Sequence, residues 1–252
     1  METITNNVCK FVASLDERKH RRREGAFKAE GTKCVLDTIG HFSLRHLFAT
    51  AEWLESHPDI ASRQESVRAS RADLRKMSSL TTPADVIAVY DIPTRQFDPR
   101  AAVSNLVLAL DTIQDPGNLG TIIRVADWYG ITTIICSRET ADCYAPKVIQ
   151  ATMGSISRVS LHYGDLPAMI REMGSANIYG TFLDGDDIDS VQLSSSGIIV
   201  IGNEGNGISD QVASTVTRRL TIPSFPPDRP TGESLNAAIA TAITISKFRS
   251  SR

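Results

Sequence analysis

Residues 105–126 read NLVLALDTIQDPGNLGTIIRVA, and this stretch decides the fold. Its first part, residues 106–110, is a short continuous apolar run, which is typical of a strand covered on both faces. In its second part the apolar side chains recur at helical spacing, at Leu119, Ile122, Ile123 and Ala126. Gly130 then supplies a helix end. The stretch predicts a buried strand that leads directly into an amphipathic helix.

The same alternation continues toward the C-terminus. Further apolar runs predict strands at residues 131–136, 178–183 and 198–201. A last helix is indicated by apolar residues on one face, at Leu235, Ala238, Ile239, Ala242 and Ile243. Strands that alternate with helices predict an α/β fold with a parallel sheet.

Three loops follow predicted strands, and each is rich in glycine, asparagine or acidic residues. They span residues 111–120, 202–207 and 222–236. In an open parallel sheet the loops at the carboxyl ends of the strands converge on one crevice, where ligands bind. The pattern therefore predicts one composite site at that edge of the sheet.

Each loop alone also has a simpler interpretation. Residues 115–118 could form a tight turn whose Asn118 caps the next helix, and residues 202–207 could be a flexible connector. Glu233 or Ser234 could be an ordinary residue at a helix start. Nucleotide motifs are excluded more firmly, because residues 202–207 do not fit G-x-G-x-x-G and no Lys-Ser or Lys-Thr pair follows them as in a P-loop.

Together and in this order, the loops resemble the signature motifs of the SpoU-type (TrmH-family) RNA ribose 2′-O-methyltransferases, which are part of the SPOUT superfamily. The resemblance covers residues 105–252. Three motifs carry it, namely NLG at residues 118–120 with Arg124 and Ala126, IGNEGNGI at residues 201–208, and Ile222-Pro223 with SLN at residues 234–236. One departure is FPPDRP at residues 225–230, which is longer than the compact loop expected in the family and whose prolines predict a rigid wall.

The resemblance implies a trefoil-knotted catalytic domain, a homodimer with its active site near the interface, and S-adenosylmethionine as cofactor, with no metal. The cofactor-binding positions that it implies are Thr181, Gly202, Ile222 and Leu235. The catalytic positions that it implies are Asn118, Arg124, Glu204, Ser234 and Asn236. A glycine at position 202 would let an adenosine approach closely, because no Cβ blocks it.

These positions suggest a division of roles in ribose methylation. Methyl transfer needs the 2′-oxygen aligned with the methyl group and its departing sulfur. A guanidinium stays protonated in proteins, so we expect Arg124 to clamp a nucleotide phosphate and polarise the 2′-hydroxyl. Glu204 is expected to accept the hydroxyl proton or to orient a group that does. Asn118, Ser234 and Asn236 are expected to position the ribose and the loops.

The strongest basic run in the chain is RKHRRR at residues 18–23. Such a run attracts RNA phosphates, although it is equally typical of a solvated helix face. The first interpretation predicts RNA contacts from Lys19, Arg21, Arg22 and Arg23. The rest of residues 1–90 indicates mixed helix and short strands, including strands at residues 33–36 and 86–89.

The N-terminal part resembles the family's substrate-binding domain, an α/β module similar to ribosomal proteins. The opening of that domain is matched by Lys10, Leu15, Lys19, Arg21, Phe27 and Glu30-Gly31. Its close is matched by MSSLTTP at residues 77–83, ahead of the predicted strand. We therefore predict an RNA substrate-binding domain at 1–92, a linker with two prolines at 93–104, and a SPOUT methyltransferase domain at 105–252.

The composition is that of a globular protein, with 41% hydrophobic and 22% charged residues. Its apolar runs are far below the roughly 18 residues that span a bilayer, and residues 1–10 lack the apolar stretch of a signal peptide. The four cysteines form no CxxC pair, so neither a zinc site nor a disulfide framework is indicated. We expect a reduced, cytoplasmic protein.

Functional alternatives stay open within the superfamily. The RNA could be ribosomal or transfer RNA, and ribosomal RNA is favoured only by the ribosomal-protein-like module. Methylation of a base instead of a ribose, or RNA binding without catalysis, are further alternatives. A dinucleotide-dependent oxidoreductase is disfavoured because the glycine fingerprint is missing.

Overall fold

The computed structural model describes residues 4–175, 177–226 and 234–250. The chain divides into two compact units. The first contains Met1–Thr94 together with Asp142–Ser157, and the second contains Arg95–Ala141 together with Arg158–Arg252. Residues 142–157 thus group with the N-terminal residues, whereas the sequence placed everything from residue 105 onward in one domain.

Strands and helices alternate along most of the described chain. The strands are β1 (Ala26–Glu30), β2 (Leu44–Ala49), β3 (Ser66–Arg68), β4 (Val86–Asp91), β5 (Leu106–Leu110), β6 (Thr133–Ser137), β7 (Ser160–Gly164), β8 (Ile178–Asp187), β9 (Gly197–Ile201) and β10 (Arg218–Thr221). The helices are α1 (Asn6–Ser14), α2 (Arg18–Glu24), α3 (Thr32–Thr38), α4 (Ala51–Ser56), α5 (Pro58–Ala61), α6 (Arg71–Met77), α7 (Ala101–Ser104), α8 (Pro116–Trp128), α9 (Pro146–Thr152), α10 (Leu166–Glu172), α11 (Asp210–Ala213) and α12 (Ala237–Ser250).

The first unit is built on a four-stranded sheet in the order β1-β4-β2-β3. Strand β4 runs antiparallel to both β1 and β2, and β3 adds to β2 in parallel. Apolar residues of α1 and α6 pack on this sheet in one core cluster. The segment that contains α9 joins the same unit, where the rings of Phe27 and Tyr144 lie 4.7 Å apart.

Residues 33–36 were predicted to form a strand, and this prediction is wrong. They lie in α3, whose buried residues are Cys34, Val35 and Thr38. This spacing matches one face of a helix, whereas a half-buried strand would bury alternate residues. The strand predicted at residues 86–89 is confirmed as part of β4.

The second unit is a six-stranded sheet in the order β10-β8-β9-β5-β6-β7, and all of its pairs are parallel. The predicted α/β class and parallel sheet are therefore confirmed. All residues of β5 and β9 are buried, as expected for central strands covered on both faces. The predicted helix after β5 is α8, and Gly130 follows its end with a φ of +67°. The predicted trefoil knot stays a prediction.

The predicted linker at residues 93–104 is only partly a linker. Its last residues form α7, and Ala102 is buried in the core of the second unit with Val107 and Val200. Phe97 and Ala101 pack against the same core. Prolines and polar residues obscured this apolar patch in the sequence.

Some features concern the whole described chain. Within residues 4–175, 177–226 and 234–250, no helix is long and apolar enough to cross a membrane. In the same residues, no group of three or more His, Cys, Asp and Glu side chains is placed to hold a metal ion. All four cysteines are buried.

Candidate functional site

The first and second polar loops leave the sheet side by side. Strands β5 and β9 are neighbours, Leu110 pairs with Ile201, and the next residue, Asp111, donates its N–H to the Ile201 carbonyl at 2.9 Å. The buried Asp111 carboxylate accepts hydrogen bonds from the N–H and Oγ of Ser209 at 2.8 and 2.7 Å. This carboxylate therefore ties the start of the first loop to the end of the second.

Asn118 lies in the first turn of α8. The cap of this helix is Asp115, whose Oδ1 accepts from the Asn118 N–H at 2.7 Å, and Pro116 occupies the first helical position. The alternative in which Asn118 is the cap is therefore wrong. Because the Asp115 side chain accepts the hydrogen bond that a helix cap provides, the side-chain amide of Asn118 is available for other partners.

The Asn118 amide joins all three loops. Its Nδ2 donates to Oε1 of Glu204 in the second loop. Its Oδ1 accepts from Nδ2 of Asn236, at 2.9 Å, at the start of α12. Ser234 adds a link, because its Oγ donates to the Glu204 carbonyl at 3.2 Å. The four predicted residues that come together are thus Asn118, Glu204, Ser234 and Asn236.

The direction of this hydrogen-bond chain is fixed at both ends. Asn236 Oδ1 accepts from the N–H groups of Ala238 and Ile239 at 3.0 and 3.3 Å, so its Nδ2 faces Asn118. At the other end Glu204 Oε1 accepts from Asn118 Nδ2. Glu204 therefore acts as the acceptor that orients Asn118, and Asn236 caps the described start of α12.

The second loop is a hydrogen-bonded turn, not a flexible connector. Asn203 and Gly207 exchange backbone hydrogen bonds of 3.0 and 2.9 Å. The Asn203 side chain accepts from the N–H groups of Gly205 and Asn206 and donates to the Thr112 carbonyl at 2.9 Å. This turn also explains Gly202, because a Cβ there would lie 2.3 Å from the carbonyl carbon of Gly207. The glycine is required by the loop itself, before any ligand is considered.

Thr112 supports the same loop in an unusual conformation. Its φ is +60°, which is rare for a β-branched residue and costs about 1–3 kcal/mol. Its N–H donates to Ser137 Oγ at 3.0 Å, and its carbonyl accepts from Asn203. Strained residues of this kind cluster at functional sites, where their surroundings hold them in place.

A cavity of about 590 Å³ lies between the middle of β8 and the ends of β9 and β10. All four predicted cofactor-binding residues line it, namely Thr181, Gly202, Ile222 and Leu235. Glu204 and Ser234 line it too, so the hydrogen-bond chain borders the same space. Its volume lies within the range of about 300–1,000 Å³ that is usual for small-molecule sites.

Some lining residues were not selected from the sequence. Arg219 stacks on the ring of Phe182, with its guanidinium carbon 3.5 Å from the ring centroid, and it pairs with Asp184 at 2.5 Å. Strand β10 lies at an edge of the sheet and lacks an apolar run, so the loop after it was predicted but its bounds and Arg219 were not. Asp111, which does not line the cavity, was also not selected, although it begins the first loop. Its position directly after the buried strand β5 could have identified it.

Arg124 is not brought to the other predicted catalytic residues within one chain. It lies on the exposed face of α8, outside the set of residues that line the cavity. Within the described residues it makes no hydrogen bond or ion pair. Glu233 and residues 227–230 of the proline-rich stretch lie outside the described residues.

Arg21 is a correction to the predicted RNA-binding set. Its side chain is only 3% exposed. It donates to the carbonyls of Leu15 and Asp16 at 2.7 and 2.8 Å and pairs with Asp142 at 2.6 Å. A guanidinium with these partners inside the first unit holds its fold and cannot reach RNA.

The other three predicted RNA contacts lie on the surface of α2. Lys19 pairs with Glu17 at 2.8 Å, and Arg23 pairs with Glu24 at 2.7 Å. Arg22 is exposed. Neighbouring acids therefore offset part of the charge that the run shows in the sequence.

Two family models match the chain. The SpoU rRNA Methylase family matches residues 105–246, and the MRM3-like substrate binding domain matches residues 6–88. Among curated relatives, the 23S rRNA (guanosine(2553)-2'-O)-methyltransferase RlmP of Bacillus subtilis (strain 168) is 26% identical. That match covers 99% of this chain and 98% of the relative.

Solved structures agree over the whole length. A TrmH-family protein from Porphyromonas gingivalis superposes with a TM-score of 0.86 at 39% identity, covering 98% of this chain and 99% of the other. An AdoMet-bound rRNA methyltransferase from Sinorhizobium meliloti gives a TM-score of 0.83 at 27% identity, covering 99% and 96%. With a family model that spans more than half of its length, the chain belongs to the SpoU rRNA methylase family.

Proposed function

We propose that this protein is an S-adenosylmethionine-dependent methyltransferase that modifies a ribose 2′-hydroxyl in ribosomal RNA. The observation that carries the proposal is the convergence of three distant loops, through the Asn118 amide, beside one cavity. The Bacillus subtilis and Sinorhizobium meliloti relatives named above are rRNA methyltransferases, and the structure of the second contains AdoMet.

The cavity fits the cofactor by its chemistry. Its wall combines backbone of the Gly202 loop with apolar side chains of Ile222 and Leu235 and the hydroxyl of Thr181. Thr181 Oγ1 donates to the Val200 carbonyl at 3.2 Å, which holds this wall against β9. When bound, the cofactor supplies a methyl group on a sulfonium. The protein residues then have to orient the ribose and manage the proton of its 2′-hydroxyl.

The hydrogen-bond chain suits the orienting role. Asn118 is fixed on both sides of its amide, and Asn236 is fixed by the helix that it caps. Glu204 is half-buried and uses one carboxylate oxygen for Asn118, which leaves the other to accept from the ribose or from a group that carries its proton. Arg124 stays protonated, so its role is to hold a phosphate and polarise the hydroxyl.

A homodimer would complete the site. Helices α8 and α12 run side by side in the same direction, because Asn236 bonds to Asn118 at their starts and Arg249 Nε donates to the Tyr129 carbonyl at their ends. This pair presents two exposed apolar side chains, Trp128 at 85% and Ile239 at 51% exposure. Large aromatic residues of this kind are enriched at interfaces.

The proposed dimer places Arg124 at the interface. Arg124 and Trp128 are four residues apart on α8 and share one face. An interface over that face lets Arg124 of one protomer serve the site of its partner. Trp128→Glu is then expected to give a monomer in light scattering, whereas Val103→Glu, at a residue 67% exposed on α7, leaves the dimer intact. Dimers that persist in the Trp128 variant would contradict this interface.

Mixed dimers test whether Arg124 acts across the interface. An Arg124→Ala subunit combined with an Asn118→Ala subunit has one intact site if Arg124 is supplied by the partner. It has none if both residues act within one chain. Activity recovered on mixing two inactive variants therefore supports the shared site, and no recovery contradicts it.

The reaction itself is tested with methyl-labelled S-adenosylmethionine and ribosomal RNA from cells that lack the gene. Label in a 2′-O-methylnucleoside after digestion supports the proposal. Label in a base, or label in transfer RNA alone, would replace it with the corresponding alternative. Binding of RNA with no cofactor binding and no label would indicate a non-catalytic member of the family. A cytoplasmic location stays a prediction.

A further inference from the structure

A second cavity lies in the first unit, outside the candidate site. Its volume is about 740 Å³, and it lies between α6 and the segment of residues 82–85. Three exposed cations of α6 line it, namely Arg71, Arg75 and Lys76. The facing side is lined by Thr82, Pro83, Ala84 and the exposed Asp85. We call this cavity the α6 groove.

The wall formed by α6 is held firmly in place. Ser70 caps the helix, and its Oγ accepts from the Asp73 N–H at 3.1 Å. At the other end the buried Lys28 donates to the Met77 carbonyl at 2.5 Å, and the buried Glu30 accepts from Ser78 Oγ and the Ser79 N–H. The cations therefore project from a backbone anchored at both ends, which limits the ordering cost of binding.

The groove cations are available to a ligand. Arg75 has no hydrogen bond or ion pair with any residue that the structure describes. Arg71 pairs with Asp85 at 3.2 Å, and Lys76 pairs with Asp73 at 3.8 Å and donates to Asn6 Oδ1 at 3.4 Å, but the three cations are exposed and these contacts are therefore weak. The pKa of nearby Glu52 is lowered by hydrogen bonds from its own backbone and Thr50, and then by Arg71 and Arg68.

The shape of the groove distinguishes it from α2. Exposed Arg71 and Arg75 are one helical turn apart, so two phosphates can be met along one face. The floor is apolar, with Leu74, Pro83 and Ala84, and can receive the face of an unstacked base. In α2, by comparison, Arg21 is committed to the interior, and Lys19 and Arg23 remain on the surface in exposed pairs that are as weak as those of α6.

We infer that the α6 groove binds an unpaired segment of RNA, with phosphates on Arg71, Arg75 and Lys76 and a base against Pro83. Recognition of single-stranded nucleotides by cations beside an apolar surface is a general mode of RNA binding. The inference rests on the proposed function for its choice of RNA as ligand. To the proposed function the inference adds the RNA-binding surface, which the sequence had placed on α2. It also adds that the bound RNA is single-stranded.

The experiment compares three triple variants of the full-length protein. The first is Arg71→Gln/Arg75→Gln/Lys76→Gln in the groove. The second is Lys19→Gln/Arg22→Gln/Arg23→Gln on α2. A matched control removes the same charge at exposed sites elsewhere, Lys33→Gln/Lys147→Gln/Arg171→Gln. The probes are a short fluorescein-labelled single-stranded RNA of mixed sequence and the same sequence as a duplex, each titrated at several KCl concentrations.

We expect the groove variant to raise the Kd for the single strand at least about tenfold. The slope of log Kd against log salt should fall by about 2, since each phosphate contact on a single strand contributes roughly 0.7. The control should change Kd less than about threefold, and the duplex should bind more weakly than the single strand to the unaltered protein. A groove variant that binds like the control, an α2 variant with the larger loss, or an unaltered protein that prefers the duplex would overturn the inference.

Two further measurements keep the result interpretable. Ala72→Glu places a negative charge in the groove at an exposed helix position, so it tests the same surface if the triple variant folds poorly. Affinity for S-adenosylmethionine is measured on every variant and should not change. If the unaltered protein binds no cofactor, the proposed function fails, whereas the RNA titrations still decide the groove.

Discussion

The two units of the molecule use charged residues in opposite ways. In the first unit Arg21, Lys28 and Glu30 are all buried and bond to backbone carbonyls, N–H groups or each other. In the second unit the sheet interior is apolar, and the one charged residue among its described buried side chains, Asp111, stands at a strand end. Buried charges therefore hold the interior of the first unit together, whereas the buried charge of the second unit joins two loops of the candidate site.

The largest expected effect is on the stability of the first unit. Lys28 is fully buried and pairs with Asp16 at 2.9 Å and Glu30 at 3.3 Å. Lys28→Ala leaves Glu30 buried without its cation, so the free energy of unfolding should fall by about 3–5 kcal/mol. Lys33→Ala, at a side chain 72% exposed, should change it by less than about 0.5 kcal/mol. Equal effects in urea unfolding would show that the buried charges do not hold the first unit together.

The next effect is on activity, with little change in stability. Asn118→Ala removes the amide that joins Glu204 to Asn236, and misplacement of the loops should lower kcat about 100-fold. Gln114→Ala changes an exposed residue of the same loop and should leave kcat nearly unchanged. The methyl-transfer rate at saturating cofactor and RNA is the measurement. A stability loss that accounts for the whole decrease would place Asn118 with the structural residues.

A third prediction separates two glycines of one loop. A Cβ at Gly202 meets backbone at 2.3 Å, whereas a Cβ at Gly205 meets only the Asn203 side chain at 3.5 Å. Gly202→Ala is expected to shift the turn, with a cost of about 1–3 kcal/mol, and to weaken S-adenosylmethionine binding. Gly205→Ala should bind the cofactor nearly as the unaltered protein does. Calorimetric titration checks both, and equal affinities would show that the turn does not shape the cavity.

The smallest expected effect concerns an exposed ion pair of the first unit. The pKa of Asp91 is lowered by a hydrogen bond from Ser43 and by Arg45. A carboxyl with a lowered folded-state pKa adds stability above its unfolded pKa and loses it as the pH falls through the folded value. Because the Asp91 side chain is 39% exposed, Asp91→Asn should cost less than about 1 kcal/mol at pH 7. In urea unfolding the cost should shrink as the pH falls below the ordinary aspartate pKa of 3.8, and a cost that grows on acidification would contradict the lowered pKa of Asp91.

The second unit could be predicted largely from the sequence because its central strands are apolar on both faces. Strands β5, β6, β8 and β9 were all predicted. Strands β7 and β10 were missed because they form the two edges of the sheet and are less buried. In the first unit, β1 was missed for another reason. Its Lys28 and Glu30 neutralise each other inside the fold, and a hydrophobic pattern cannot show that.

The location of the candidate site could be predicted from the sequence, but most of the contacts within it could not. Parallel strands bring their polar ends together, and described residues of all three loops do meet, at Asn118, Glu204, Ser234 and Asn236. The partners of Asn118 could not be predicted, because they depend on Asp115 taking over the helix cap. The reason why residue 202 is a glycine also differed from the one expected. The sequence suggested room for an adenosine, whereas the structure shows that a Cβ would collide with the backbone of the same loop.

The membership of residues 142–157 in the first unit has a consequence for biosynthesis. The N-terminal strands leave the ribosome early, yet Asp142, which pairs with Arg21, and Tyr144, which packs on Phe27, emerge only after β5, α8 and β6 have been made. Domains generally fold as units in the order of synthesis. Here the N-terminal unit cannot be completed until residues 142–157 have been synthesised. A fusion of residues 1–94 alone to another enzyme would lack this segment.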